Sequence, residues 1–250
     1  MDAFYASVEL LRYPQLKGLP VVIGGGRRRE DDVLARLNRE LPERDWTVAD
    51  LADIPLDFFP RLEGYAGRGV ITTSTYEARA LGVFSAMGMM KAAQLAPDAI
   101  LLPVNFDAYR HYSRLFKAAV VEIAPLIEDR GIDEIYIDLS DHSEDSYSIG
   151  LTIKNAVKAA TNLSCSICIA PNKLLAKIGS ELEKPDGLTI LTEADIPTRI
   201  WPLAAKKING IGPKANEKLA ALGIVTIADL AALGDTDMRV ALQFLLFPIF

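Results

Sequence analysis
Up to Pro171 the chain alternates short runs rich in β-branched residues with longer runs whose apolar residues recur at helical spacing; beyond Pro171 the runs are almost wholly helical. That switch constrains the fold more than any other feature. Strands and helices that alternate in sequence pack as layers around a sheet, whereas a helical segment must bury its apolar stripe against other helices. LPVVIGGG, GVITTST, GIDEIYIDLS and LSCSICIAP read as strands. After Asp2, an expected N-cap, Phe4, Val8 and Leu11 mark a short helix stopped at Tyr13-Pro14. YEARALGV suits a helical turn and MGMMKAAQLA a further helix. Tyr109, Tyr112, Leu115, Phe116, Val120 and Ile123 mark a long amphipathic helix over 107–127, and another follows over 148–161. The expected architecture is α+β: strands and helices around one mixed sheet, then a small helical domain made of NKLLAKIGSELEK, LAAKKING, PKANEKLAALG and TIADLAALG. Residues 27–69 are charged, dotted with proline and without a sustained period, which predicts an insertion.

With 250 residues, half of them hydrophobic, the chain can bury at least one sizeable core, and disordered and collagen-like structure are excluded. Two cysteines and two histidines supply neither a disulfide framework nor a closed zinc site. Cys165 and Cys168 stand three apart in a strand, facing opposite sides of a sheet, so core packing is expected rather than redox chemistry. His111, on the amphipathic helix, and His142, in an acidic loop, are assigned no chemistry. The N-terminal MDAFYASVELLRYP lacks the basic and apolar regions of a secretory signal, and ALQFLLFPIF is too short to cross a membrane. A cytoplasmic protein without a membrane span is expected.

The net charge of −6 argues at first against a nucleic-acid partner, because phosphate binding is driven by Lys and Arg releasing counterions. The charge is local, however. Residues 128–145 carry eight acidic side chains and one basic, which leaves +1 for the rest of the chain, and Lys206, Lys207, Lys214 and Lys218 form a basic segment. Within the acidic run, Asp133 and Glu134 lie in an alternating hydrophobic pattern, where Asp133 would share a face with Ile135, Ile137 and Leu139. A carboxylate there needs a cation, and Mg²⁺ with its preference for oxygen ligands would supply one; two solvated acids at a strand end are the alternative. Tyr76 and Arg79, at i and i+3, share a helical face and could hold phosphate oxygens, unless that face is simply an exposed ion-pairing one. Lys177 is a further phosphate ligand or an ordinary snorkelling lysine. In INGIGPKANEKLAALGI the turn carrying Gly210 and Gly212, with Pro213 opening the next helix, presents backbone N–H groups at a positive helix end, and Lys214 stands beside it. That is a nest for a nucleic-acid backbone, or a plain helical hairpin.

Taken in order, MDAFYASVE, VVIGG, TYEARALGVFSAM, FDAY, GIDEIYIDLS, APNKLLAKIGSELEKPDG and INGIGPKA resemble the Y-family translesion DNA polymerases, close to the bacterial DNA polymerase IV and UmuC-like type, from residue 1 to about 233. The resemblance implies a palm over 1–11 and 104–170, fingers over 12–103 including the insertion 27–69, and a helix-hairpin-helix thumb over 171–238, with 239–250 a divergent tail. It implies nucleotidyl transfer from a deoxynucleoside triphosphate to a primer 3′-OH with two Mg²⁺ ions. Asp133 and Glu134 match catalytic, metal-binding carboxylates, with the Met1 carbonyl as a further metal ligand. Tyr5 matches the aromatic gate beneath the sugar, Tyr76, Arg79 and Lys177 the triphosphate ligands, and Gly210, Gly212 and Lys214 the contact with the DNA backbone. Primer–template DNA and deoxynucleotides are the implied partners of a monomer, with a sliding clamp as a further one.

Three departures are evident. The family carries another metal-binding aspartate two residues before the position of Asp2, which this sequence does not contain; the basic little-finger domain is expected to be absent; and Gly131 stands where Ser is usual. The chain is therefore expected to be such a polymerase truncated at both ends, with weak, salt-sensitive DNA binding. An inactive nucleic-acid-binding remnant is the alternative, and a nucleotide cyclase, another palm enzyme with strand-borne acids, is disfavoured by Tyr76, Arg79 and the thumb.

Overall fold
The structure, a computed structural model, describes residues 1–25 and 30–234. The chain forms two compact units, one of residues 1–137 with 156–163 and one of residues 138–155 with 164 onward.

In the first unit the organising element is β1 (Val21–Gly24), the central strand of a three-stranded mixed sheet. It pairs antiparallel with β2 (Ile71–Ser74) and parallel with β3 (Ile100–Leu102). Successive strand residues point to opposite faces, and both faces of β1 are covered. Val21 and Ile23 join a core with Ala6 and Leu16, whereas Val22 joins a separate one with Ile71, Ala78 and Met89. A strand buried on both sides reads as the continuous apolar run seen at 21–23.

The first of those cores takes in side chains from the charged, proline-dotted stretch expected to be an insertion over 27–69. Helix α2 (Glu30–Glu40) contributes Leu34 and Leu37, and Trp46, Leu51, Ile54 and Phe59 follow from short turns, all packed with Val21 and Ile23. The segment is thus a cover for the sheet. A Thr47–Asp50 capping box holds its loop, and the Arg44 guanidinium lies over the Trp46 ring while bonding Asp50 and Asp53. Its anchors are spaced irregularly because turns rather than one helix deliver them, so no period betrayed them.

Helix α1 (Phe4–Arg12) begins one residue later than expected. Ala3, at φ 40°, is its N-cap, and the buried Asp2 accepts the Ser7 hydroxyl through its backbone carbonyl. Helix α3 (Tyr76–Ala80) follows β2, and α4 (Met89–Leu95) precedes β3. Helix α5 (Phe106–Val121) is capped by the Asn105 side chain, which accepts from Ala108 N–H at 3.1 Å. It stops short of 127, ahead of Pro125, and Ile127 instead opens β4 (Ile127–Asp129), which pairs antiparallel with β5 (Ile135–Ile137).

Helix α6 (Ser146–Thr161) agrees with the helix expected over 148–161. In the second unit β6 (Ile167–Ile169) is followed by α7 (Lys173–Gly179) and pairs parallel with β7 (Leu188–Ile190). Cys165 is buried and Cys168 half-buried, both as free thiols. Beyond them α8 (Pro213–Ala221) and α9 (Ile227–Ala231) are helical as expected, but LAAKKING supplies only a single 3₁₀ turn, Ala205–Lys207. Among the described residues the strands form three separate sheets, not one. Alternation in sequence reports which faces of a strand are apolar and says nothing about which strand lies beside it. The tail at 239–250 lies outside the described residues.

Candidate active site
Residues from the two ends of the first unit's sequence meet around Tyr5. Its ring stacks on Tyr109 of α5 at 4.1 Å with an interplanar angle of 10°, and Phe106 meets it edge-on at 6.1 Å. Tyr109 is wholly buried, and its hydroxyl donates to Glu9 Oε1 at 2.8 Å. Glu9 in turn accepts from Arg12 at 3.1 Å. Burial raises the Glu9 carboxyl above its ordinary value against the opposing pull of Tyr109 and Arg12, and it pushes the Tyr109 hydroxyl up as well. Tyr5 is therefore fixed from beneath while remaining half-buried. Its own hydroxyl is raised by burial and then by the negative charge of Asp133.

Asp133 and Glu134 are both half-buried and lie in the turn just before β5, so only Ile135–Ile137 of the expected strand is paired. Outside the ladder the carboxylates escape the full desolvation that a strand position would impose. The Met1 ammonium donates to the Asp133 carbonyl at 2.9 Å, and Arg130 N–H donates to the Glu134 carbonyl at 3.1 Å, which closes the turn. Met1, Tyr5, Asp133 and Glu134 are thus brought to one place by the start of α1 and the β4–β5 turn. Among the described residues no three His, Cys, Asp or Glu side chains form a metal-holding group. The oxygen donors of this turn are the adjacent carboxylates of Asp133 and Glu134. These hard oxygens fit Mg²⁺, which commonly takes only one or two protein carboxylates and completes its shell with water and substrate phosphate.

Tyr76 and Arg79 share a face of α3 as their spacing predicts, with the guanidinium 4.9 Å from the Tyr76 ring centroid. The helix is fastened to the sheet by Thr75, whose hydroxyl accepts from Val21 N–H at 3.0 Å and donates to the Leu19 carbonyl at 3.1 Å. Arg79 Nε donates to the Ser74 carbonyl at 3.2 Å, leaving its two Nη groups for a bidentate contact.

The remaining predicted residues belong to the second unit. Lys177 is half-buried on α7, whose N-terminus is capped by Asn172. Gly210, at φ +98°, and Gly212, the N-cap of α8, flank an exposed turn, and Lys214 is exposed on the first turn of that helix. A Cβ at Gly212 would meet no atom within 4 Å, so the protein itself does not demand its bareness, whereas the positive φ of Gly210 favours glycine on its own account.

Tyr109 and Phe106, which support Tyr5, and Glu9, which anchors Tyr109, were not recognised from sequence as site residues. A carboxylate beside Val8 on the buried side of an amphipathic helix was the available signal.

The impB/mucB/samB family model matches residues 1–181. DNA polymerase IV of Bacillus velezensis is 36% identical over 233 residues, covering 92% of this chain and 47% of that protein. DNA polymerase IV 1 of Bacillus subtilis is 35% identical over 241 residues, covering 96% of this chain and 49% of its own length. The chain thus spans about half the length of these curated relatives. Among solved structures, DinB from Sulfolobus solfataricus matches with a TM-score of 0.72 at 26% identity, covering 98% of this chain and 63% of that one. An insertion ternary complex of Dbh DNA polymerase matches with a TM-score of 0.73, again at 26% identity, covering 98% of this chain and 64% of that one.

Proposed function
This chain belongs to the impB/mucB/samB family, the Y-family DNA polymerases, and on that premise we propose that it carries the nucleotidyl-transfer site of a template-directed DNA polymerase acting across damaged template. The observation that carries the reading is the meeting of the Asp133–Glu134 pair with Tyr5, whose ring is backed by the buried Tyr109.

In this reading Asp133, Glu134 and the Met1 carbonyl hold Mg²⁺, with two ions in the working site. The metal, when bound, neutralises developing charge on the α-phosphate and lowers the pKa of the primer 3′-OH. Tyr5 lies under the incoming sugar, where a ring that cannot sink into Tyr109 excludes a ribose 2′-OH. Tyr76 and Arg79 bind triphosphate oxygens, Arg79 through its Nη fork, and Lys177 adds a point charge. The first turn of a helix leaves N–H groups without intrahelical acceptors, so the start of α8 offers them to a DNA phosphate, with Gly210 and Gly212 allowing close approach and Lys214 countering the charge. Residues 1–11 and 104–170 act as palm, 12–103 as fingers and 171–238 as a helix-hairpin-helix thumb. Primer–template DNA and deoxynucleoside triphosphates are the partners of a cytoplasmic monomer, with a sliding clamp as an additional one.

Single-nucleotide primer extension with Mg²⁺ at low salt, run beside Asp133→Ala, tests this. Extension by the parent that disappears in the variant is the expected result. No extension by either protein, with DNA binding retained, would assign the chain instead as an inactive nucleic-acid-binding remnant.

A further inference from the structure
The turn that carries the acid pair is tied to α5 by one side chain that none of the roles above uses. Lys117 Nζ donates to Asp129 Oδ1 at 2.8 Å, to Asp129 Oδ2 at 2.8 Å and to the Gly131 carbonyl at 2.7 Å. An ammonium has three N–H donors, and here they meet three oxygens. Asp129 also accepts from Gly131 N–H at 3.0 Å, so ammonium, carboxylate and peptide form one closed set of contacts. Gly131 sits at φ +149°, a conformation open to glycine and strained for other residues. Two residues farther on, the Asp133 carbonyl is held by Met1 and the Glu134 carbonyl by Arg130 N–H. The turn is therefore braced on the α5 side by Lys117 and on the α1 side by Met1. Lys117 follows the buried Phe116 on α5 and is itself mostly covered, at 19% side-chain exposure.

We propose that Lys117 is a positioning residue for the metal-binding carboxylates: by clamping Asp129 and the Gly131 carbonyl it sets where the Asp133 and Glu134 side chains leave the turn. The inference rests on the assignment of Asp133 as a metal ligand. Groups that orient a metal's ligands without touching the metal typically matter by about 10–100-fold in affinity or activity.

The sign of the effect separates positioning from simple charge. Removing a cation near two carboxylates should, by charge alone, tighten metal binding. Removing a clamp should weaken it. Mn²⁺ binding to the purified chain, followed by electron paramagnetic resonance without nucleotide, is the measurement, with Lys117→Met and Asp133→Ala compared to the parent. Weaker binding in Lys117→Met by about ten-fold or more, with a native circular dichroism spectrum, is expected. Parent-like or tighter binding in Lys117→Met, while Asp133→Ala loses the ion, overturns the clamp and leaves the site assignment standing. Parent-like binding in Asp133→Ala removes the metal-ligand assignment and the clamp with it. If Lys117→Met does not fold, Asp129→Asn decides, because Asp129 is 61% exposed and its loss spares the core. Amide hydrogen exchange at residues 131–134 should then accelerate, and unchanged exchange overturns the proposal.

Discussion

At the scale of single residues, the buried Glu9 carries the clearest energetic statement. A carboxyl this deep is tolerated because Tyr109 donates to one oxygen and Arg12 to the other. Replacing it with leucine leaves the Tyr109 hydroxyl without its acceptor, which should cost about 1–3 kcal/mol. Urea denaturation should show a lower midpoint with an unchanged slope. The pH dependence has a definite sign. Because the folded protein raises the Glu9 pKa above its ordinary value of 4.5, the stability linked to its protonation is fully present below that value and is lost as pH rises through the folded pKa. The stability of the parent relative to Glu9→Gln should therefore decline from about pH 4 upward, and a difference that grew with pH would contradict the assignment. Cys168 behaves alike in sign: burial pushes its thiol up to about 11 from 9.0. The native protein should resist iodoacetamide at neutral pH and react at both cysteines in guanidinium. The core role of this pair was expected from the sequence, although only Cys168 lies on β6 and Cys165 precedes it. The support of Tyr5 by Tyr109 was not, because 104 residues separate the two rings and no local spacing connects them.

At the scale of elements, local chemistry that completes itself within a few residues was readable. The Tyr76–Arg79 face, the helix opened by Pro213 and the amphipathic stripe of α5 all follow from short-range spacing. The strand at GIDEIYIDLS was readable in kind but too long, because pairing with β4 ends at Asp129↔Ile135 and leaves the acids in the turn. The turn before α8 offers a test that separates fold from function. A methyl group on Gly212 meets nothing in the protein, so Gly212→Ala should cost no more than about 1 kcal/mol, the usual scale of an N-cap change. The same methyl would stand between the backbone and an approaching phosphate. DNA affinity measured by fluorescence anisotropy should fall several-fold while the melting temperature barely moves, and unchanged affinity would remove this turn from the DNA interface.

At the scale of the whole molecule, charge and packing decide different things. A net charge of −6 gives no general attraction to DNA, so on the proposed reading binding rests on the few lysines near the glycine turn. Each phosphate neutralised contributes about −0.9 to the slope of log affinity against log salt. DNA binding should therefore weaken steeply between about 50 and about 200 mM salt, and a flat response would mean that the contacts are not to phosphate. By itself the sequence determined the α+β class, the family and most of the longer helices, because each of these is written in spacing and residue type over short stretches. Only the tertiary structure decided that side chains between residues 33 and 59 cover the sheet with Val21 and Ile23, that the strands divide into separate sheets, and that Lys117 reaches the turn of Asp133. Those outcomes depend on which distant surfaces lose water against one another, and burial of that kind leaves no periodic mark on either partner alone.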